Sequence, residues 1–142
     1  MRRKLAAFAI AALALLASAS PASAASVDMR AASGLCGSVL GEDLGQATAL
    51  KTSSGSIRFV SVTHVSIPDG TNVTASVQND FGSPVVGCQW FDVENLGTFV
   101  VTDKVVVIRG TESRFAMSDV SSVRIVIRNN GVILAASESI PI

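Results

Sequence analysis

The chain has 142 residues, 49% of them hydrophobic, and its 11 basic side chains balance 11 acidic ones. That balance excludes a strongly basic, polyanion-binding protein, which needs Lys and Arg in excess and clustered. One histidine and two cysteines are too few ligands for a closed, four-ligand structural zinc centre built from those residue types.

Arg2, Arg3 and Lys4 open the chain, an apolar run follows from Leu5 to Ala17, and Pro21-Ala22-Ser23-Ala24 closes the segment with small residues. A basic end, a short apolar middle and an Ala-x-Ala step predict a secretory signal peptide over residues 1–24. The apolar run falls short of the roughly 20 residues needed to cross a bilayer. Cleavage after Ala24 leaves residues 25–142 as one domain with a net charge of −3. No later run is long enough for a membrane span, so stable insertion after cleavage is not expected. Export predicts a secreted or periplasmic product, and the alanine-rich signal fits a bacterial source.

Residues 25–56 read as an irregular N-terminal arm, because Gly34, Gly37, Gly41 and Gly45 interrupt any regular element. The arm is expected to add one irregular edge strand, held down by Cys36. In an exported protein a lone cysteine pair predicts a disulfide, here Cys36–Cys88.

From residue 57 to 142 the sequence is rich in strands. Ile57 to Ile67 is dense in β-branched residues and stops at Pro68-Asp69-Gly70. Val73, Ala75 and Val77 alternate with polar residues, and Asn79 to Pro84 reads as a turn. Val85 to Val93 is the next strand, closed by Glu94-Asn95-Leu96-Gly97. Thr98 to Val101 and Lys104 to Arg109 are split at Thr102-Asp103, and Gly110 to Ser113 turns into Arg114 to Met117. Val123, Ile125 and Ile127 alternate with Arg124 and Arg128, and Asn129-Asn130-Gly131 predicts a hairpin to Val132–Ala136. Short strands at this spacing predict an all-β fold, an antiparallel β-sandwich of about seven strands or a small barrel.

The stretch from Val73 to Met117 resembles the FxLYD type of bacterial extracytoplasmic domain. The likeness rests on Val73-x-Ala75-x-Val77-x-Asn79, Pro84-Val85, Trp90-Phe91-Asp92, Gly97 and Glu112-x-x-Phe115. It implies an immunoglobulin-like sandwich at the cell envelope or outside it. No functional residue is carried over, because such modules share no catalytic set.

Residues two apart on a strand share a face, so Cys88, Trp90 and Asp92 look one way and Gln89, Phe91 and Val93 the other. Trp90 is expected in the core beside the disulfide, which disfavours glycan binding by aromatic stacking, as does the absence of Tyr. Phe91, Glu94 and Asn95 are the expected partner contacts. Arg109, Arg114, Arg124 and Arg128 are expected as solvated strand positions. Oxygen-rich turns (Asp69, Asn72, Asp92, Glu94, Asn95) lack the spacing of a calcium loop, and no cofactor, metal or catalytic residue is expected. The leading expectation is an exported, non-enzymatic domain that binds or supports a protein or envelope component. The alternatives are a small secreted hydrolase using His64, though no Gly-x-Ser-x-Gly elbow accompanies it, and a secreted protease inhibitor presenting a loop near the disulfide.

Overall fold

The computed structural model describes residues 24–53, 56–85, 88–113 and 122–141. Residues 1–23 of the expected signal peptide lie outside the described residues, as does the expected strand from Arg114 to Met117. The strands are β1 Ala24–Ser33, β2 Val39–Lys51, β3 Ile57–His64, β4 Asn72–Val85, β5 Cys88–Val100, β6 Val105–Ser113, β7 Ser122–Asn129, β8 Val132–Ser137 and β9 Ile140–Pro141. A single 3-10 turn, Leu35–Gly37, separates β1 from β2.

The all-β expectation holds, with a different architecture. All pairings are antiparallel and join the strands into one sheet of order β5-β4-β7-β8-β1-β2-β3-β6, with β9 beside β7. That sheet curls into a half-barrel, in place of the two stacked sheets of a seven-stranded sandwich. The reason lies in the segment expected to be an irregular arm. Its strand β1 pairs with β2 along its length and, through Met29–Ala31, with β8. Those pairings weld the two halves together in the middle of the sheet, not at its edge. Gly41 and Gly45 lie at irregularities of the β1–β2 ladder, where the register shifts on either side of Arg30, while Gly34 precedes the 3-10 turn and Gly37 ends it.

The concave side holds the core. Val73, Ala75 and Val77 of β4, Val123, Ile125 and Ile127 of β7, and Ile57 and Phe59 of β3 meet there, at spacing two along each strand. Burying each of the larger side chains is worth about 1.5–3 kcal/mol relative to leaving it in water.

Two predicted turns form as expected. Asp103 and Lys104, with φ of 53° and 62°, link β5 to β6 inside the Thr102–Val105 bridge, and Asp69 Oδ1 accepts the Lys104 N–H at 2.8 Å. Asn130 and Gly131, with φ of 52° and 79°, link β7 to β8. Left-handed conformation at both central residues matches the right-handed twist of the flanking strands.

Three other predicted turns are strand. Residues 81–84 continue β4 but stand opposite Gln89 alone, since Asp80 pairs with Trp90 and Val85 with Cys88. Val93 and Leu96 are the extra residues at two register shifts in β5, so the Glu94–Gly97 break is a bulged strand. Gly110, at φ 69°, is likewise the extra residue between Arg109 and Thr111 in β6. Turn-forming composition inside a long hairpin is accommodated as bulges, because the ladder on either side supplies the backbone partners.

Gly45 marks the closest approach in the sheet. It has φ 151°, and a Cβ added there would fall on the Val62 carbonyl oxygen of β3. Gly45→Ala is therefore expected to destabilise the fold by about 3 kcal/mol in urea titration. Gly41→Ala, where a Cβ meets Ala31 at ordinary contact distance, is the control and should change stability by less than about 0.5 kcal/mol.

Candidate functional site

The convex side carries a groove of about 870 Å³, walled by the Leu35–Gly37 turn, the Gly131–Leu134 end of β8, and Trp90, Phe91 and Asp92 of β5. It begins with a local backbone choice. Cys36 adopts φ 58° inside the turn, and Gly37 follows at φ 63°. Gly37 also lies so close to Ile133 that a Cβ would approach its side chain to 3.0 Å. The predicted disulfide, Cys36–Cys88, anchors the turn to the start of β5, with the two Cα atoms 5.8 Å apart.

Arg124 is the second anchor. Sequence spacing places it on the convex face of β7, but it is 2% exposed instead of solvated. Its guanidinium donates to the Gly37 carbonyl at 3.0 Å, to the Cys36 carbonyl at 2.9 Å and to Gln78 Oε1 at 2.8 Å. Its Cζ lies 5.0 Å from the Trp90 ring centroid, a cation–π distance. Burial, and then the neighbouring Arg128, lower its pKa to about 10, while Asp80 and Asp92 pull the other way. The group therefore stays charged at neutral pH.

The polar chain continues outward. Gln78 Nε2 donates to Asp92 Oδ1 at 2.9 Å. Arg128 closes on the same carboxylate with two bonds of 3.0 Å, and its Nη1 also reaches Ser76 Oγ at 3.4 Å. Gln78 is thus oriented from both ends, its oxygen toward Arg124 and its nitrogen toward Asp92. A bidentate carboxylate–guanidinium pair holds both side chains in one geometry.

Of the expected contacts, Phe91 is half-buried and lines this groove. Glu94 and Asn95 are not brought to it: Asn95 is exposed and spends its Oδ1 on the Gly97 N–H at 2.8 Å. Trp90, expected in the core, is half-buried on the groove wall. The core cluster is filled from the opposite face of the sheet, and the disulfide lies on the convex side with Trp90. Arg114 lies outside the described residues, and Arg109 is exposed as expected.

His64 ends β3 half-buried, and its Nδ1 is buried with no hydrogen-bond partner among the described residues. The nearby hydroxyls of Ser61 and Thr63 bond to each other at 3.1 Å. Among the described residues no group of three or more His, Cys, Asp or Glu is placed to hold a metal ion. No helix among them is long and apolar enough to cross a membrane.

Exposed apolar side chains lie on and beside the segments that line the groove. Leu35 is 65% exposed, Val39 56%, Val132 62% and Leu40 37%. Leu35 belongs to the groove-lining turn, Val132 lines the groove, Val39 lies against Gly34, and Leu40 pairs with Ala32 of the groove wall. Val100, the remaining large exposed hydrophobic among the described residues, stands on the far end of β5. No family model, curated protein or solved structure matches this chain.

Proposed function

We propose that this is an exported, non-enzymatic binding module that recognises a macromolecular partner, at the cell envelope or outside the cell, through the groove on its convex face. The observation that carries this reading is the gathering of exposed Leu35, Val39, Leu40 and Val132 on and beside the segments that line a groove walled by Trp90. Apolar patches gathered at one place on a soluble domain, with aromatic and arginine side chains at their centre, are the composition of binding surfaces. The groove is preformed, because the disulfide and Arg124 hold its overhanging turn in place before any ligand arrives. Export is supported by the disulfide, which belongs in an oxidising compartment, by the signal-like residues 1–24, and by the resemblance of residues 73–117 to FxLYD-type extracytoplasmic modules. The hydrolase alternative would need a group that orients His64, and its Nδ1 has none among the described residues.

The test is site-specific photocrosslinking in cells of the source organism that express the full chain. A crosslinker at Val132 is expected to yield a discrete adduct on a product whose mature sequence begins at Ala25, recovered outside the cytoplasm. A crosslinker at the equally exposed Val100 should yield none. Retention in the cytoplasm, or identical adducts from both positions, would overturn the proposal.

A further inference from the structure

The strand pairings leave a split in the sheet at the groove. β1 and β8 pair through Met29↔Ser137, Arg30↔Ala136 and Ala31↔Ala135, and the ladder between them stops there. Each strand runs on with its other neighbour: β1 reaches Ser33↔Val39 with β2, and β8 reaches Asn129↔Val132 with β7. Both of these outer ladders are irregular at this height. The β1–β2 register shifts between Arg30 and Ala32, and Leu134 is the extra residue between the Ile127↔Ala135 and Arg128↔Ile133 pairs. Bulges bend strands, so the two ends part. Ala32 and Ser33 on one side of the split and Ile133 and Leu134 on the other all line the groove, and among the described residues no ladder pairing joins them.

The side-chain charges here are already balanced within the chain. Arg128 holds Asp92 by two bonds, and Asp80 and Asp92 both act on Arg124. Gln78 is committed at both ends of its amide, to Arg124 and to Asp92. None of these side chains is left over for a charged ligand. What the split leaves for a ligand is main chain, in two strand ends that each carry a ladder on one side. An unpaired strand edge is a template for another strand. Resting on the reading of the groove as a binding site, we infer that its occupant is an uncharged, extended segment of a partner protein. The segment pairs its main chain with the free side of β8 at Val132–Leu134 and lays alternate apolar side chains toward Trp90. In strand addition of this kind, main-chain hydrogen bonds supply the affinity and contacts to alternate side chains the selectivity. An acyl chain fills apolar space but makes no use of those main-chain groups.

The single tryptophan of the chain, Trp90, lines the groove and reports occupancy directly. The probes are heptapeptides blocked at both ends that alternate Thr with Val, Ile, Leu or Phe, together with palmitate. At least one peptide is expected to give a saturable change in Trp90 fluorescence. Its main chain is then N-methylated at one or the other set of alternate residues, because successive N–H groups of a strand point to opposite sides. One set should weaken binding at least about tenfold, a difference of about 1.4 kcal/mol, and the other by less than about threefold. Amide hydrogen exchange at Ile133 and Leu134 should slow at least about tenfold on saturation. Equal effects of the two methylation sets, unchanged exchange at Ile133 and Leu134, binding of no peptide, or tighter binding of palmitate would overturn the inference. If Val132 crosslinks to a partner in cells and any of those results is found, the binding module stands and strand addition falls.

Discussion

Arg124→Met is expected to destabilise the domain by about 4 kcal/mol, lowering its melting temperature by roughly 15 °C. Methionine fills similar volume but donates no hydrogen bond, so the Cys36 and Gly37 carbonyls and Gln78 Oε1 lose their donor together. Each buried polar atom left unpaired costs about 1–3 kcal/mol, and the relief of no longer burying a charge offsets only part of that sum. Arg124→Lys keeps the charge but not the planar fork that spans three acceptors, and should recover less than half of the loss. The pH dependence has a definite sign. The folded-state pKa of about 10 lies below that of a free guanidinium, so the folded protein binds fewer protons than the unfolded chain between those two values. The penalty for burying the charge is present in full below pH 10 and fades as pH rises above it. The stability difference between wild type and Arg124→Met should therefore be flat from about pH 6 to pH 9. A slope there in chemical denaturation would show that another group titrates with it.

Removing the disulfide with Cys36→Ser and Cys88→Ser together is expected to cost about 4 kcal/mol on the chain-entropy account of a bridge of this span. The sheet should survive, because the core cluster lies apart from the bridge and the bridge meets the strand ladders only at the first residue of β5, where Cys88 pairs with Val85. Far-ultraviolet circular dichroism of the double variant should remain that of a β protein at low temperature. What changes is the groove. The turn over it would be held by Arg124 alone, so Trp90 fluorescence should respond more strongly than the sheet signal does. Arg124 and the disulfide secure the same three residues, and their effects should not add. Combining Arg124→Met with the cysteine changes is expected to show a coupling of at least about 1 kcal/mol, since a released turn has already withdrawn its carbonyls from the guanidinium. Strict additivity, measured by urea titration of all four species, would refute the idea that the two anchors act on one element.

Both results bear on the proposed function in the same way. Neither Arg124 nor the disulfide is needed to form a curled sheet, but both are needed to hold the wall that encloses Trp90. A turn fixed by two anchors in this way suits a domain that presents its groove already formed.

The local rules of the chain were readable from its residues. Alternation in Val73–Val77 and Val123–Ile127, the Asn130-Gly131 hairpin and the Thr102-Asp103 break all predict what the strands do, because strand faces and two-residue turns depend on neighbours in sequence. The cysteine pair predicts its own bond, since no third cysteine competes. Residues 79–84 and 94–97 were misread as turns because their composition suits turns, while the long β4–β5 ladder that turns them into bulges is set by pairing across the hairpin. The N-terminal arm was misread for the same kind of reason. Its glycines weaken any local signal, and only the simultaneous pairing of β1 with β2 and β8 makes it the centre of one sheet in place of an edge.

The groove was the least legible feature. Strand spacing predicts a contact at Phe91 but puts Trp90 in the core, and charge alone predicts a solvated Arg124, which is buried. The one local hint was an arginine set between valine and isoleucine, inside the apolar run from Val123 to Ile127. Residue type and spacing determined the all-β class, the strand faces, the disulfide and the signal-like start. Tertiary structure alone decided that Cys36, Gly37, Gln78, Trp90 and Arg124 share one site, because they come from separate parts of the chain and are brought together only by strand order and register.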